Sequence, residues 1–421
     1  VIFGLSETEW LQSTTTHVME STGKNYAKLM QIFSLIPNSM QYEPNDQIGI
    51  PWDLNKIAQL LFFIALSATV VGLICARTKA KRWWTGGLGL LLSAVLLTGY
   101  FIPVSVPVMD LSAASETADT TYYGMNYKDC QKDEAADFRV KKYQLDFSVG
   151  LNLTGRAKVY VDRSELKSYR FTLYHGYKVK QVTDQTGAAL DFRREYDYVT
   201  VTRGGAAVEY LCLEYTGKSP KYYSSYAGVC LPANFAYYPI PGYRELFKDN
   251  FYGFIDCSLP YDTAFDVRCS GRKQMYCNLA ARGDNHFAGN ARSITLLSGY
   301  YDTLKLNDTL VVYPKYADGE IQARVKKNMG TFTKEHRDIR TIFIMDADNL
   351  TPYEHLRSYD GYVVTNSMID MEQSYFESQI DISKMDFYKT FVYYYNEKVD
   401  REELEPVSYT HLRAHETCAD L

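Results

Sequence analysis

Residues Ile57–Ala76 read IAQLLFFIALSATVVGLICA, and residues Trp84–Val108 read WTGGLGLLLSAVLLTGYFIPVSVPV. Neither run contains Asp, Glu, Lys or Arg. Each is long enough, at about 1.5 Å of rise per helical residue, to cross a hydrocarbon core of roughly 30 Å. Two such runs back to back predict a transmembrane helical hairpin within residues 52–109. A pair of buried helices in a large soluble core is the competing reading, and it would have to cover both runs on every side.

The connection between the runs is Arg77-Thr78-Lys79-Ala80-Lys81-Arg82. Its four cations, Arg77, Lys79, Lys81 and Arg82, place the loop 77–82 in the cytoplasm, because basic residues near span ends stay on that side. Trp83 and Trp84 then fall at headgroup depth, where amphipathic rings are favoured. A hairpin with a cytoplasmic loop puts residues 1–51 and everything after Met109 outside. The expected location is therefore the cell membrane, multi-pass, with a large extracytoplasmic domain and the lipid bilayer as first partner. Within residues 1–51, Tyr26–Ile36 has helix-like apolar spacing and suits either the membrane surface or an ordinary loop helix.

The chain has 421 residues with 45 basic and 50 acidic side chains, a net charge of −5. No long basic run occurs outside the hairpin, which argues against a nucleic-acid partner. The first residue is Val1, and no basic-apolar-small signal pattern follows it. At the other end, VSYTHLRAHET (Val407–Thr417) resembles one reading frame of a sequencing adapter. Residues 407–421 are accordingly read as foreign, with no function for His411, His415, Glu416 or Cys418, and the chain as a fragment of a longer protein.

Beyond the hairpin the period changes. Residues 110–129 read as a linker, rich in Ser, Ala and Thr over Asp110–Thr121. In YQLDFSVGLNL (Tyr143–Leu153) apolar side chains alternate, the mark of a half-buried strand. Thr154-Gly155 is read as a turn, and Ala157–Asp162 resumes the alternation. Strands are predicted at Ser168–Tyr174, Tyr177–Asp184, Tyr198–Thr202 and Val208–Tyr215, with turns at Asp184–Gly187 and Gly204-Gly205. A second group follows at Phe265–Cys269, Met275–Ala280, Ser293–Gly299 and Thr309–Pro314. Closely spaced strands with such turns predict a mainly-β domain over 130–316, an antiparallel sandwich or saddle. Residues 317–406 mix a helix candidate (Glu320–His336), strands at Arg340–Asp346 and Tyr362–Asn366, and helix candidates at Met368–Phe376 and Met385–Val399. They read as a partial α/β unit.

The order of these pieces resembles the N-terminal β-domain of the M1 zinc aminopeptidases. The segments carrying the resemblance are LPANFAYYPIPGY (Leu231–Tyr243), FDVRCSGRKQMYCNLA (Phe265–Ala280) and ITLLSGYYDTL (Ile294–Leu304), within a stretch from Lys142 to Asn366. With the hairpin in front, the arrangement is similar to bacterial membrane proteins that join ABC-2-type permease helices to an extracytoplasmic M1-like domain. That resemblance implies a transport permease whose ABC ATPase subunit is a separate chain. The chemistry of the family is not carried over. Neither HExxH, which holds zinc and activates water, nor the G-x-M-E-N loop occurs in the sequence, and SMIDME (Ser367–Glu372) is not assigned that role. No catalytic, cofactor or metal residue is assigned, and zinc enters only through a catalytic domain outside this chain. Two alternatives stand beside the permease reading: a membrane-tethered M1 zinc aminopeptidase cut before its HExxH, and an extracytoplasmic β-sandwich binding module.

Other candidate sites are few. His17, His175, His286, His336 and His355 are scattered without ligand spacing and read as surface or satisfied core residues. Asp346, Asp348 and Glu354 form a loose acidic group that suits a solvated loop better than a cation site. Cys130, Cys212, Cys230, Cys257, Cys269 and Cys277 lie in the outer domain without a CxxC pair. They permit a disulfide from Cys257 to Cys269 or Cys277, or act as small buried hydrophobes, as Cys75 does in the first span. Tyrosine is abundant, at 37 residues. Tyr222, Tyr223, Tyr226, Tyr237, Tyr238 and Tyr243 are a candidate sugar- or peptide-binding face, with sheet and loop packing as the plainer account.

Overall fold

The computed structural model describes residues 48, 54–99, 115–219, 221–248, 253–315, 329–330, 332–345 and 356–366. The chain divides into two compact units, one of Val1–Pro44 with Ile50–Ser115, the other of Asn45–Gly49 with Glu116–Leu421.

In the first unit, α1 (Leu54–Cys75) and α2 (Lys79–Gly99) pack against each other. The predicted loop 77–82 is shorter than expected. Thr78 Oγ1 accepts from Lys81 N at 3.3 Å and so caps α2, which begins at Lys79. Lys79, Lys81 and Arg82 therefore sit in the first turns of α2, and Arg82 Nε reaches back to Ala76 O at 3.1 Å. Small residues set the close approach. A methyl on Gly72 would lie 2.7 Å from Thr85 Cγ2, and one on Gly89 would collide with the Thr69 side chain. Tight contact between small residues is how helices associate where lipid removes the hydrophobic drive. The burial pattern of α1 is reversed relative to a helix in water. It buries Asn55, Gln59 and Thr69 along with Phe63, while Leu54, Ile57, Leu61, Ile64, Val70, Val71 and Ile74 are exposed. One helix, α1, is long and apolar enough to cross a membrane. Residues 100–108 of the second predicted span, Tyr26–Ile36 and the segment 367–421 lie outside the described residues.

The second unit opens with α3 (Ser115–Met125) and the single turn α4 (Tyr127–Cys130), where a linker was predicted. Threonine-rich SETADTTYYGM has weak helix propensity; the burial of Asp119 and Tyr123 supplies what propensity does not. The strands are β1 (Val140–Val149), β2 (Leu153–Val161), β3 (Ser168–Thr172), β4 (Tyr177–Thr183), β5 (Phe192–Glu195), β6 (Tyr198–Thr202) and β7 (Tyr210–Gly217). Next come β8 (Val229–Leu231), β9 (Ile240–Pro241), β10 (Phe247–Lys248), β11 (Gly253–Phe254), β12 (Thr263–Ser270), β13 (Tyr276–Cys277) and β14 (Ala280–Gly283). The last are β15 (His286–Ala291), β16 (Leu296–Ser298), β17 (Tyr301–Leu306), β18 (Thr309–Pro314), β19 (Thr341–Met345), β20 (Leu356–Tyr359) and β21 (Tyr362–Asn366).

The largest sheet has seven strands in the order β14-β15-β12-β1-β2-β7-β4. It is not wholly antiparallel as predicted, because β1 runs parallel to β12, with Tyr143 beside Phe265. The turn predicted at Thr154-Gly155 belongs to β2; the chain reverses at residues 150–152 instead. Gly155 is glycine for packing, since a Cβ there would enter the Tyr215 ring across the β2–β7 pair. The turn at Asp184 is as predicted. Asp184 Oδ1 accepts from Thr186 N at 2.8 Å and Ala188 N at 3.1 Å, and Gly187 takes φ +85°. A four-stranded sheet, β5-β6-β3-β9, supplies a second layer of core. A five-stranded sheet, β17-β18-β19-β21-β20, crosses the boundary predicted at 316/317. There β18, β19 and β21 are parallel neighbours, so the partial α/β unit is hydrogen-bonded to the strands before it rather than separate from them.

The core is unusually phenolic. Tyr143, Tyr169, Tyr174, Tyr177, Tyr198, Tyr215, Tyr222, Tyr237 and Tyr238 are all essentially fully buried. Burying a hydroxyl costs free energy unless it finds a partner. Here Tyr143 donates to Pro239 O at 2.8 Å, Tyr198 to Cys130 O at 2.6 Å, Tyr215 to Tyr237 O at 2.9 Å and Tyr237 to Ile294 O at 2.8 Å. These four rings therefore fill core volume while their hydroxyls bond backbone carbonyls that no strand ladder satisfies.

Candidate functional site

The residues singled out by sequence separate into three groups. Arg77, Lys79, Lys81 and Arg82 stay together at one end of the hairpin. Of the tyrosines, Tyr222, Tyr223, Tyr237 and Tyr238 are buried, Tyr243 is half-buried and Tyr226 is exposed. A binding face needs accessible rings, and these pack against Phe235, Phe254, Tyr143 and one another. Packing accounts for the cluster. Cys257, Cys269 and Cys277 are free thiols rather than a disulfide pair. Cys257 Sγ points at Ala233 O, 3.6 Å away, and burial pushes the Cys277 thiol up to about 12. All three behave as small core side chains. His286 pairs with Asp266 at 2.9 Å across the β12–β15 ladder, and His336 packs on Phe332. His17, His355, Asp346, Asp348 and Glu354 lie outside the described residues.

His175 is not an ordinary core histidine. It follows β3, where the chain turns toward β4, and it lies between two carboxylates. Its Nε2 is 3.7 Å from Asp119 Oδ1 and its Nδ1 is 3.4 Å from Asp197 Oδ1, while its backbone N–H donates to Asp197 Oδ1 at 2.6 Å. Tyr174 donates its hydroxyl to Asp119 Oδ1 at 2.6 Å. Tyr122 of α3 stacks on the imidazole with centroids 3.5 Å apart, and Tyr123 meets its edge. Arg194 of β5 donates to the carbonyls of Leu173 and Tyr174 at 2.6 and 3.0 Å, fixing the turn that carries the histidine. Asp119 and Asp197 are almost inaccessible, whereas the His175 side chain keeps 18% of its surface.

Burial dominates the electrostatics. Desolvation raises the Asp119 carboxyl to about 6, partly opposed by the Tyr174 hydrogen bond and by His175. Burial, then the Asp197 and Asp119 carboxylates, push the Tyr123 phenol well above its ordinary range. Buried and without a hydrogen-bond partner are Asp119 Oδ2, Asp197 Oδ2, His175 Nδ1 and Arg194 Nη1. Asp119 is carried by α3, so burial of its carboxyl depends on that helix being docked. Among the described residues no group of three or more His, Cys, Asp or Glu side chains is placed to hold a metal ion. Sequence reading missed the cluster because its acids are distant in the chain. Its one local signal is Asp119, Tyr122 and Tyr123 at helical spacing i, i+3, i+4.

No protein-family model matches the chain, and no curated protein matches it. Its neighbours among solved structures are M1 zinc metallopeptidases. A variant of the enzyme from Deinococcus radiodurans is 12% identical over 57% of this chain and 63% of that one, with a TM-score of 0.37. Yeast LTA4 hydrolase in complex with bestatin is 11% identical over 63% of this chain and 44% of that one, with a TM-score of 0.40. Native LTA4 hydrolase from Saccharomyces cerevisiae gives 11%, the same coverage and a TM-score of 0.39. The chain thus spans between 44% and 63% of these proteins' lengths.

Proposed function

We propose that this chain is part of a membrane transport protein of the ABC-2 permease type, carrying an M1-like β domain outside the cytoplasm and no peptidase centre of its own. The observation that supports this most is the reversed burial of α1. Its large apolar side chains face outward while Asn55, Gln59 and Thr69 are buried, and the cations of the hairpin gather at one end. Lipid is the solvent in which that distribution is stable. On this reading α1 and α2 span the bilayer, the turn at Ala76–Thr78 faces the cytoplasm, and an ABC ATPase is a separate subunit. The M1 likeness is one of strand order, and the zinc-binding HExxH is absent from the sequence. Alkaline carbonate extraction of membranes expressing the full chain tests the reading. Retention in the pellet is expected; release of intact protein into the supernatant overturns it.

A further inference from the structure

The helix α3 is held to the β unit by few side chains. Asp119 and Tyr123 are buried and Thr120 and Tyr122 half-buried, while Thr121, Gly124 and Met125 are exposed. Tyr123 lies flat on Phe247, with ring centroids 4.8 Å apart, and meets Phe254 edge-on. Tyr122 covers His175. Against these contacts stands one buried carboxyl. The Tyr174 hydroxyl is a neutral donor to Asp119 Oδ1, Asp119 Oδ2 has no partner, and His175 Nε2 is 3.7 Å away, beyond hydrogen-bond reach. The other groups facing Asp119 are the like charge of Asp197 and the cation of Lys221. Arg194 lies toward Asp197 and donates to two backbone carbonyls instead. Tyr122, Tyr123, Cys130 and Tyr196 complete the surroundings, all held neutral by burial or neighbouring acids. A charge buried with a single hydroxyl donor is costly, and a proton removes that cost. Burial accordingly raises this carboxyl to about 6.

We propose that α3 is a proton-operated clasp, closed on the β unit with Asp119 protonated and opening as the pH rises toward neutrality, so that residues 115–130 join the connection between α2 and β1. Opening returns the Asp119 carboxylate to water and uncovers His175. A short helix of weak propensity that buries one aromatic ring and one acid has little else to hold it. The clasp is a property of the second unit alone. That the pH outside the cytoplasm operates it rests on the proposed function, and the test separates the two.

A nitroxide is attached to the full chain at exposed Thr121→Cys on α3 or, as a reference, at exposed Leu151→Cys between β1 and β2. Parent protein treated identically gives the background from native cysteines. In detergent, the Thr121→Cys spectrum should pass from slow to fast motion between about pH 4 and pH 7, while the reference stays constant. The docking equilibrium should shift about a hundredfold over that range, the factor set by a carboxyl raised by about two pH units. Asp119→Asn should abolish the transition and keep α3 docked throughout. Asp197→Asn removes a like charge and should move the transition to lower pH. Absence of a transition at Thr121→Cys overturns the clasp. So does a transition shared by the reference, which is unfolding of the β unit, and so does one that survives Asp119→Asn. In intact spheroplasts the transition should follow the pH of the medium. A transition present in detergent but indifferent to the medium keeps the clasp and overturns the placement of the β unit outside the cytoplasm.

Discussion

Asp119 shows how one buried carboxyl gives the second unit a pH dependence. Its carboxyl titrates near 6 when α3 is docked, because burial penalises the charged form, against an ordinary value near 4 when the helix is released. A group raised in the folded state contributes its stability below the unfolded value and loses it as pH climbs through the folded one. Docking of α3 should therefore be firmest below about pH 4 and weaken by about 3 kcal/mol by pH 7, at 1.36 kcal/mol per unit. Hydrogen exchange of residues 115–125, corrected for intrinsic rates, should show that loss of protection. Asp119→Asn keeps an acceptor for the Tyr174 hydroxyl without a charge, so it should flatten the profile and protect the helix more than the parent at pH 7. Asp119→Ala removes the acceptor of the buried Tyr174 hydroxyl and should cost about 1–3 kcal/mol. A pH profile unchanged by Asp119→Asn would remove this carboxyl from the account.

At the scale of elements, close approach decides more than turn chemistry does. Gly155 reads in sequence as a turn residue, yet it lies within β2 because the Tyr215 ring occupies the space a side chain would need. Gly155→Ala should force that ring to move and cost about 1–3 kcal/mol, read as a lowered midpoint in urea unfolding of the second unit. Gly89→Leu should likewise pry α1 from α2 and lower detergent resistance of the hairpin, since Thr69 fills the space over that glycine. The strand texture located β6, β18 and β21 to the residue and β3, β4 and β12 closely; β12 alternates between core and surface, while β18 and β21 are short runs rich in β-branched residues that are buried along almost their whole length. It missed the β14–β15 hairpin, whose small and polar residues AARG and HFAGNA carry no alternating signal. It also read α3 as a linker, because tertiary burial rather than local propensity holds that helix. The long apolar helix α1 was legible because its signal is length and absence of charge, which need no partner to interpret. The His175 cluster was not, because Asp119, His175 and Asp197 meet only through folding.

At the scale of the whole molecule, the proposed function puts α1 and α2 in the bilayer and the tyrosine-rich β unit outside the cytoplasm. Without an HExxH, the purified full chain should show no aminoacyl-peptide hydrolysis above background with zinc present; turnover abolished by chelator would restore the peptidase reading. The sidedness of the two units is the central claim. Single cysteines at Thr78, between α1 and α2, and at exposed Leu151, between β1 and β2, can be compared with the parent using a membrane-impermeant maleimide. Leu151→Cys should label from the outer face of intact spheroplasts and Thr78→Cys only in inverted vesicles. Labelling of both positions from the same face would contradict the account.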